Sequence, residues 1–167
     1  MSVSVIVPTL NAAGEIAALL AALMGQTQPP DEILVVDSGS TDDTAELARS
    51  HGARVISVPR DRFDHGGTRD AALRQTTGEF VLFLTQDALP AYERYIEHLL
   101  KPFADERVAA ASGRQLPPAG CKALCASGAA VPLPCPEPGL GSGGPAGAGH
   151  PGISPFRCLL GLPSERL

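Results

Sequence analysis

Apolar positions follow two rhythms along the first part of the chain. Short unbroken runs, SVSVIVP at Ser2–Pro8, EILVV at Glu32–Val36, RVISV at Arg54–Val58 and EFVLFL at Glu79–Leu84, contain few polar interruptions. Runs this rich in β-branched and aromatic residues predict strands, buried ones at Ser2–Pro8, Glu32–Val36 and Glu79–Leu84 and a short one at Arg54–Val58. Between them the period lengthens. Ile16, Leu19, Leu20 and Leu23 recur at helical spacing and predict a helix over Ala13–Met24, capped by Gly25 and stopped by Pro29-Pro30. Thr41 is the expected N-cap of a second helix, with Asp42 and Asp43 in its first turn and His51-Gly52 at its end. Thr68 is the expected cap of a third helix that runs to Gly78. Ile96, Leu99, Leu100 and Phe103 repeat the helical stripe over Tyr92–Phe103, and RVAAA at Arg107–Ala111 offers a fifth strand.

The order β-α-β-α-β-α-β with short connections predicts a parallel sheet covered on both faces and joined by right-handed crossovers. In such open sheets ligands bind outside the carboxyl ends of the strands. Thr9, Asp37 and Asp87 follow the first, second and fourth apolar runs. One such residue reads as a turn or cap; several on one edge predict a site. A carboxylate at the end of the fourth strand suits Mg²⁺ or Mn²⁺ bridging to substrate phosphates. Asp37 suits a base or ribose, and Arg69, near a helix start, suits phosphate charge. Structural readings stand beside these. Asp37 could order the SGSTDDT loop, Arg69 could be a solvated residue paired with Asp70 or Glu79, and His65 could be a loop hydrogen-bonder. Neither GxxxxGK(S/T) nor a GxGxxG after the first strand occurs.

Composition changes the picture after residue 117. Residues 118–167 hold 10 Gly and 9 Pro, against 8 Gly and 7 Pro in the first 117. All four cysteines, Cys121, Cys125, Cys135 and Cys158, fall in that part, without zinc-ribbon spacing, so no Cys-His catalytic pair arises in the first part. Such sequence cannot bury enough apolar surface to offset its ordering entropy. The expectation is therefore a domain over 1–117 and a disordered or non-native tail over 118–167. Within the tail, Arg157–Leu162 is the apolar run able to dock on the sheet. A net charge of −5 argues against nucleic acid as partner. No apolar run reaches the length of a membrane span, and the N-terminus lacks a basic n-region. The expected location is cytoplasmic, with peripheral association at the inner membrane as a second setting.

Four motifs in order, VIVPTLNAAGEI, EILVVDSGSTDDT, FDHGGTRDAAL and FVLFLTQDALP, resemble those of the family 2 glycosyltransferases of the GT-A fold. The HGGTRD and TQDA variants are most similar to the bacterial rhamnosyltransferase branch. The resemblance spans about residues 3–116. It implies the N-terminal, nucleotide-binding half of a three-layer α/β/α sandwich with a mostly parallel sheet. It also implies inverting transfer of a sugar, rhamnose by the branch, from a dTDP- or UDP-sugar donor to a hydroxyl of an acceptor glycan or lipid-linked saccharide. Mg²⁺ or Mn²⁺ would assist. By motif, Pro8, Thr9 and Asp37 meet the nucleoside, Gly39 and Gln86 belong to the donor-binding set, and Arg69 lies near the diphosphate. Asp87 matches the last carboxylate of the DxD-type metal motif. Thr85 stands where the first carboxylate would be, so metal affinity leans more on the donor diphosphate. The family's general base, usually an Asp in the second half, has no counterpart: the tail's acids are Glu137 and Glu165. These departures predict a chain truncated or frameshifted after about residue 117. The alternative is an inactive fragment that at most binds nucleotide. A half-sheet would also leave strand edges open to self-association.

Overall fold

The computed structural model describes residues 1–113 and the backbone of residues 157–160. Strands β1 (Val3–Thr9), β2 (Glu32–Asp37), β3 (Arg54–Ser57), β4 (Phe80–Phe83), β5 (Ala110–Ser112) and β6 (Arg157–Leu160) form one sheet. Its order is β3-β2-β1-β4-β6-β5, and every pairing is parallel. Helices α1 (Ile16–Met24), α2 (Thr44–Ser50), α3 (His65–Leu73) and α4 (Tyr95–Leu100) provide the crossovers. The chain steps outward from β1 to β2 and β3, then returns through α3 to β4 on the other side of β1. The carboxyl ends of β1 and β4 therefore flank the switch point, where open α/β sheets bind ligands.

Alternation along each strand feeds two cores. Val3, Val5, Val7, Ile33, Val35, Phe80 and Leu82 pack with Ile16, Leu19, Leu20 and Leu23 of α1, Ala48 of α2 and Ile96, Leu99 and Leu100 of α4. On the other face Ile6, Leu34, Val36 and Val81 pack with Ala72 and Leu73 of α3. Burial from both sides is why β1, β2 and β4 read as unbroken apolar runs, whereas β3, at the edge of the sheet, is exposed or half-buried throughout.

Several element boundaries differ from expectation. α1 begins at Ile16 rather than Ala13, because a turn precedes it in which Glu15 and Ile16 N–H both donate to Ala12 O. Thr41 does not cap α2. Its N–H donates to Asn11 Oδ1 at 2.9 Å, and the helix starts at Thr44. Thr68 does not cap α3 from outside. Asp64 is the N-cap, its carboxylate accepts from Gly67 N–H, and its own N–H donates to Thr68 Oγ1 at 3.1 Å. α3 ends at Leu73, ahead of Gly78. α4 is shorter than Tyr92–Phe103 and passes into a 3₁₀ turn at Lys101–Ala104, where Pro102 has no N–H to give. The fifth strand forms at Ala110–Ser112. Four residues of the apolar run in the tail, Arg157–Leu160, form β6 between β4 and β5. The rest of the tail, expected to be disordered or non-native, lies outside the described residues.

At the amino edge of the sheet a polar node fixes the return from α3 into β4. Glu32 Oε2 accepts from Ser4 Oγ at 3.0 Å and Thr77 N–H at 3.2 Å, and Glu32 Oε1 pairs with Arg54 at 2.8 Å. Gly78 N–H donates to the buried Ser4 Oγ at 3.0 Å. At the other end of α1, buried Gln26 accepts from Ile96 N–H at 3.2 Å and so satisfies an N-terminal amide of α4. Among the described residues no helix is long and apolar enough to cross a membrane.

Candidate functional site

The carboxyl edge of the sheet is built by lacing the loop after β1 to the loop after β2. Asn11, at φ 49°, takes a left-handed backbone that Asn tolerates. Its N–H donates to Ser40 Oγ at 2.9 Å. Ala12 N–H donates to Thr44 Oγ1 at 2.7 Å, and Ala13 N–H to Asp42 Oδ2 at 3.1 Å. The Thr44 hydroxyl donates to Asp42 as well and, against partial desolvation, holds that carboxyl below the usual range. The SGSTDDT segment thus serves the shape of the edge. Gly39, at φ 80°, takes a left-handed backbone that glycine adopts without steric cost.

This edge opens into a cavity of about 460 Å³. Pro8, Thr9 and Leu10 from the end of β1 form one wall, with Ser38 beside them. Thr85 and Gln86, after β4, form a second. Arg60, Phe63, His65 and Arg69 close it from the segment that leads into α3 and from α3 itself. Of the residues named from sequence, Pro8, Thr9, Arg69 and Gln86 therefore meet at one cavity. Asp37, Gly39 and Asp87 are not among its lining residues.

Asp37 is nevertheless close to it. It lies in register with Thr9, is 5% exposed, and precedes the lining Ser38. Its Oδ2 accepts from Ser40 N–H at 3.2 Å, so it does order the loop, but its buried Oδ1 has no hydrogen-bond partner among the described residues. A buried carboxylate oxygen without a donor costs roughly 1–3 kcal/mol or more.

Arg69 pairs with neither Asp70 nor Glu79. Asp70 pairs with Arg74 at 3.0 Å, and no carboxylate among the described residues lies within ion-pair distance of Arg69. Its Nη1 donates to His65 O at 2.8 Å and lies 3.4 Å from His65 Nδ1, while the His65 ring packs edge-on against Phe63 at 5.1 Å. His65 is thus a hydrogen-bonder, and also a wall. Arg60 and Phe63 were missed because only the fold brings the RDRF segment over the end of β1.

After β4, Thr85 Oγ1 donates to Asp87 Oδ1 at 2.7 Å. Gln86 reaches back across the switch point: Leu10 N–H donates to its Oε1 at 2.8 Å, and its Nε2 donates to Leu10 O at 3.3 Å. Among the described residues no group of three or more His, Cys, Asp or Glu side chains could hold a metal unaided. One carboxylate beside a hydroxyl does fit a hard cation that draws its other ligands from substrate phosphates and water.

A parallel sheet with helices on both faces, and a cavity at its switch point, define an α/β protein built to take a ligand at its carboxyl edge. The family model for glycosyl transferase family 2 matches residues 4–123, and the chain belongs to that family. It is 41% identical over 118 residues to the O-antigen chain rhamnosyltransferase WbaN of Salmonella anatum. It is 40% identical over 119 residues to RfbN of Salmonella typhimurium, another O-antigen chain rhamnosyltransferase. Each match covers 70% of this chain and 38% of the relative, so the chain spans about two fifths of the relatives' length. Among solved structures, glucosyl-3-phosphoglycerate synthase from Mycobacterium tuberculosis in complex with Mn²⁺, uridine diphosphate and glucosyl-3-phosphoglycerate superposes with a TM-score of 0.57 at 29% identity. That match covers 68% of this chain and 44% of the synthase. The described sheet has the GT-A-like α/β/α arrangement that the sequence motifs imply.

Proposed function

We propose that the chain binds the nucleoside-diphosphate-sugar donor of an inverting glycosyl transfer, with a dTDP- or UDP-linked sugar, rhamnose by the branch it resembles, as donor. The carrying observation is the buried Oδ1 of Asp37, unpartnered among the described residues, beside a cavity lined by Thr9, Arg60 and Arg69. Uracil and thymine each present a ring N–H, the donor that a lone carboxylate oxygen lacks. The donor's diphosphate carries the charge that two guanidiniums, without carboxylate partners among the described residues, can meet through hydrogen bonds stronger than neutral ones. The Pro8–Leu10 wall and Phe63 offer apolar surface to the nucleoside. Relatives named for rhamnosyl transfer, and a synthase solved with uridine diphosphate and Mn²⁺, support the same reading.

In inverting transfer the acceptor hydroxyl attacks the anomeric carbon from the face opposite the leaving nucleoside diphosphate. The C–O bond to the phosphate breaks, its electron pair stays on the diphosphate, and the hydroxyl proton goes to a base. Arg60 and Arg69 would stabilise the charge that builds on the leaving group. Asp87 would hold Mg²⁺ or Mn²⁺ together with the diphosphate, which adds Lewis-acid neutralisation of the same charge.

A second reading, nucleotide binding without transfer, is favoured by one observation: among the described residues no Asp or Glu lines the cavity. Incubation with radiolabelled donor and a hydroxyl acceptor separates the two. Turnover above a no-enzyme control supports the first reading; bound nucleotide without turnover supports the second; absence of nucleotide binding overturns both.

A further inference from the structure

We propose that Gln86 is a positioning residue that joins the nucleoside wall to the metal-binding carboxylate. The proposal rests on the donor-binding reading above. Even-numbered residues of β1 turn their backbone groups toward β4: Phe80 N–H donates to Ser2 O at 2.9 Å, and Leu84 N–H to Ile6 O at 3.0 Å. The odd-numbered Thr9 faces β2, since its carbonyl accepts from Ser38 N–H at 2.9 Å. The next residue on the β4 side of β1 after Ile6 is Pro8, which has no N–H, so a backbone ladder has no donor to use there. Leu10 follows it on that side. Both of its backbone groups are taken by the Gln86 amide, at 2.8 Å and 3.3 Å. The side chain thus resumes, across the switch point, a pairing that Pro8 interrupts.

Two bonds to one residue fix the plane of the amide. They use one lone pair of its carbonyl oxygen and one N–H of its NH₂, so the amide is held in place by Leu10 with one N–H and one lone pair left over. Gln86 also stands between Thr85 and Asp87, which are bonded to each other at 2.7 Å. Its clamp therefore sets where the Asp87 carboxylate stands relative to Thr9 and Leu10. Nucleoside held at one wall and cation held at the other then share one diphosphate at a fixed spacing.

The test uses the full chain and two variants, Gln86→Leu and Gln86→Glu. Affinity for UDP and dTDP is measured by calorimetry without divalent cation and with Mn²⁺, and folding is followed by thermal melting. Gln86→Leu should lose about tenfold of the gain from Mn²⁺, beyond any change in metal-free affinity, the size of a lost pair of neutral hydrogen bonds. Gln86→Glu keeps an acceptor for Leu10 N–H and should retain part of the gain. Equal losses with and without Mn²⁺ would make Gln86 a direct donor ligand and overturn the proposal. Unchanged affinity in both conditions would overturn it too. If Gln86→Leu does not fold, the partial retention expected of Gln86→Glu decides alone. Failure of the wild type to bind either nucleotide would instead sink the donor-binding reading itself.

Discussion

Thr9 and Asp37 stand in register at the carboxyl ends of β1 and β2, and both are buried. Thr9 lines the cavity, while Asp37 keeps one carboxylate oxygen tied to Ser40 N–H and the other unpartnered among the described residues. Asp37→Asn can keep the Ser40 bond through its carbonyl oxygen but places an NH₂ where a base N–H needs an acceptor. Nucleotide affinity should fall about tenfold, with a melting temperature within about 4 °C of wild type, since only one polar contact changes. Retained affinity in isothermal titration would remove Asp37 from base recognition.

Arg60 and Arg69 approach the cavity from different elements, and neither has a carboxylate partner among the described residues. Arg60→Ala and Arg69→Ala should each weaken UDP binding about tenfold, in a salt-dependent way, and leave uridine binding nearly unchanged. Equal losses for UDP and uridine would show that these residues shape the cavity and do not read the diphosphate.

Gly78 separates these effects from stability alone. A Cβ there would stand 2.6 Å from both Ser4 N and Ser4 Oγ, against backbone that belongs to the central strand. Gly78→Ala should cost about 2–3 kcal/mol in urea unfolding, through overpacking and a strained Gly78–Ser4 hydrogen bond. A loss under about 0.5 kcal/mol, the range of ordinary surface changes, would mean that the β1–β4 junction yields easily.

At α4, the Arg94 guanidinium, 2.7 Å away, lowers the Glu97 carboxyl to about 2. A carboxyl depressed on folding contributes stability above its unfolded value of about 4.5 and loses it as pH falls toward about 2. The melting temperature of Glu97→Gln should lie below that of wild type near neutral pH and converge with it through this window. A constant difference across the window would assign the effect of Glu97 to packing.

The strands were readable because β1, β2 and β4 are buried on both faces, so their apolar runs carry almost no polar interruption. Helix starts were harder to read. The two glycines after His65 are poor helix formers, yet the reciprocal bonds between Asp64 and the Gly67–Thr68 turn hold α3 there from His65. Thr41 looks like a cap until Asn11, thirty positions earlier, takes its N–H. At the carboxyl edge, Thr9 and Asp37 were legible as polar strand ends. Arg60, Phe63 and the Gln86–Leu10 clamp were not, because each depends on segments brought together by the fold.

Calorimetric titration of UDP and dTDP into the full chain, with and without Mn²⁺, in wild type and Asp87→Ala, separates donor binding from its metal dependence. Wild type should bind at least one of them, and Mn²⁺ should tighten that binding. Asp87→Ala should keep the metal-free affinity and lose the gain. Absence of nucleotide binding would remove the donor site, and an Mn²⁺ gain that survives in Asp87→Ala would remove Asp87 as the metal ligand.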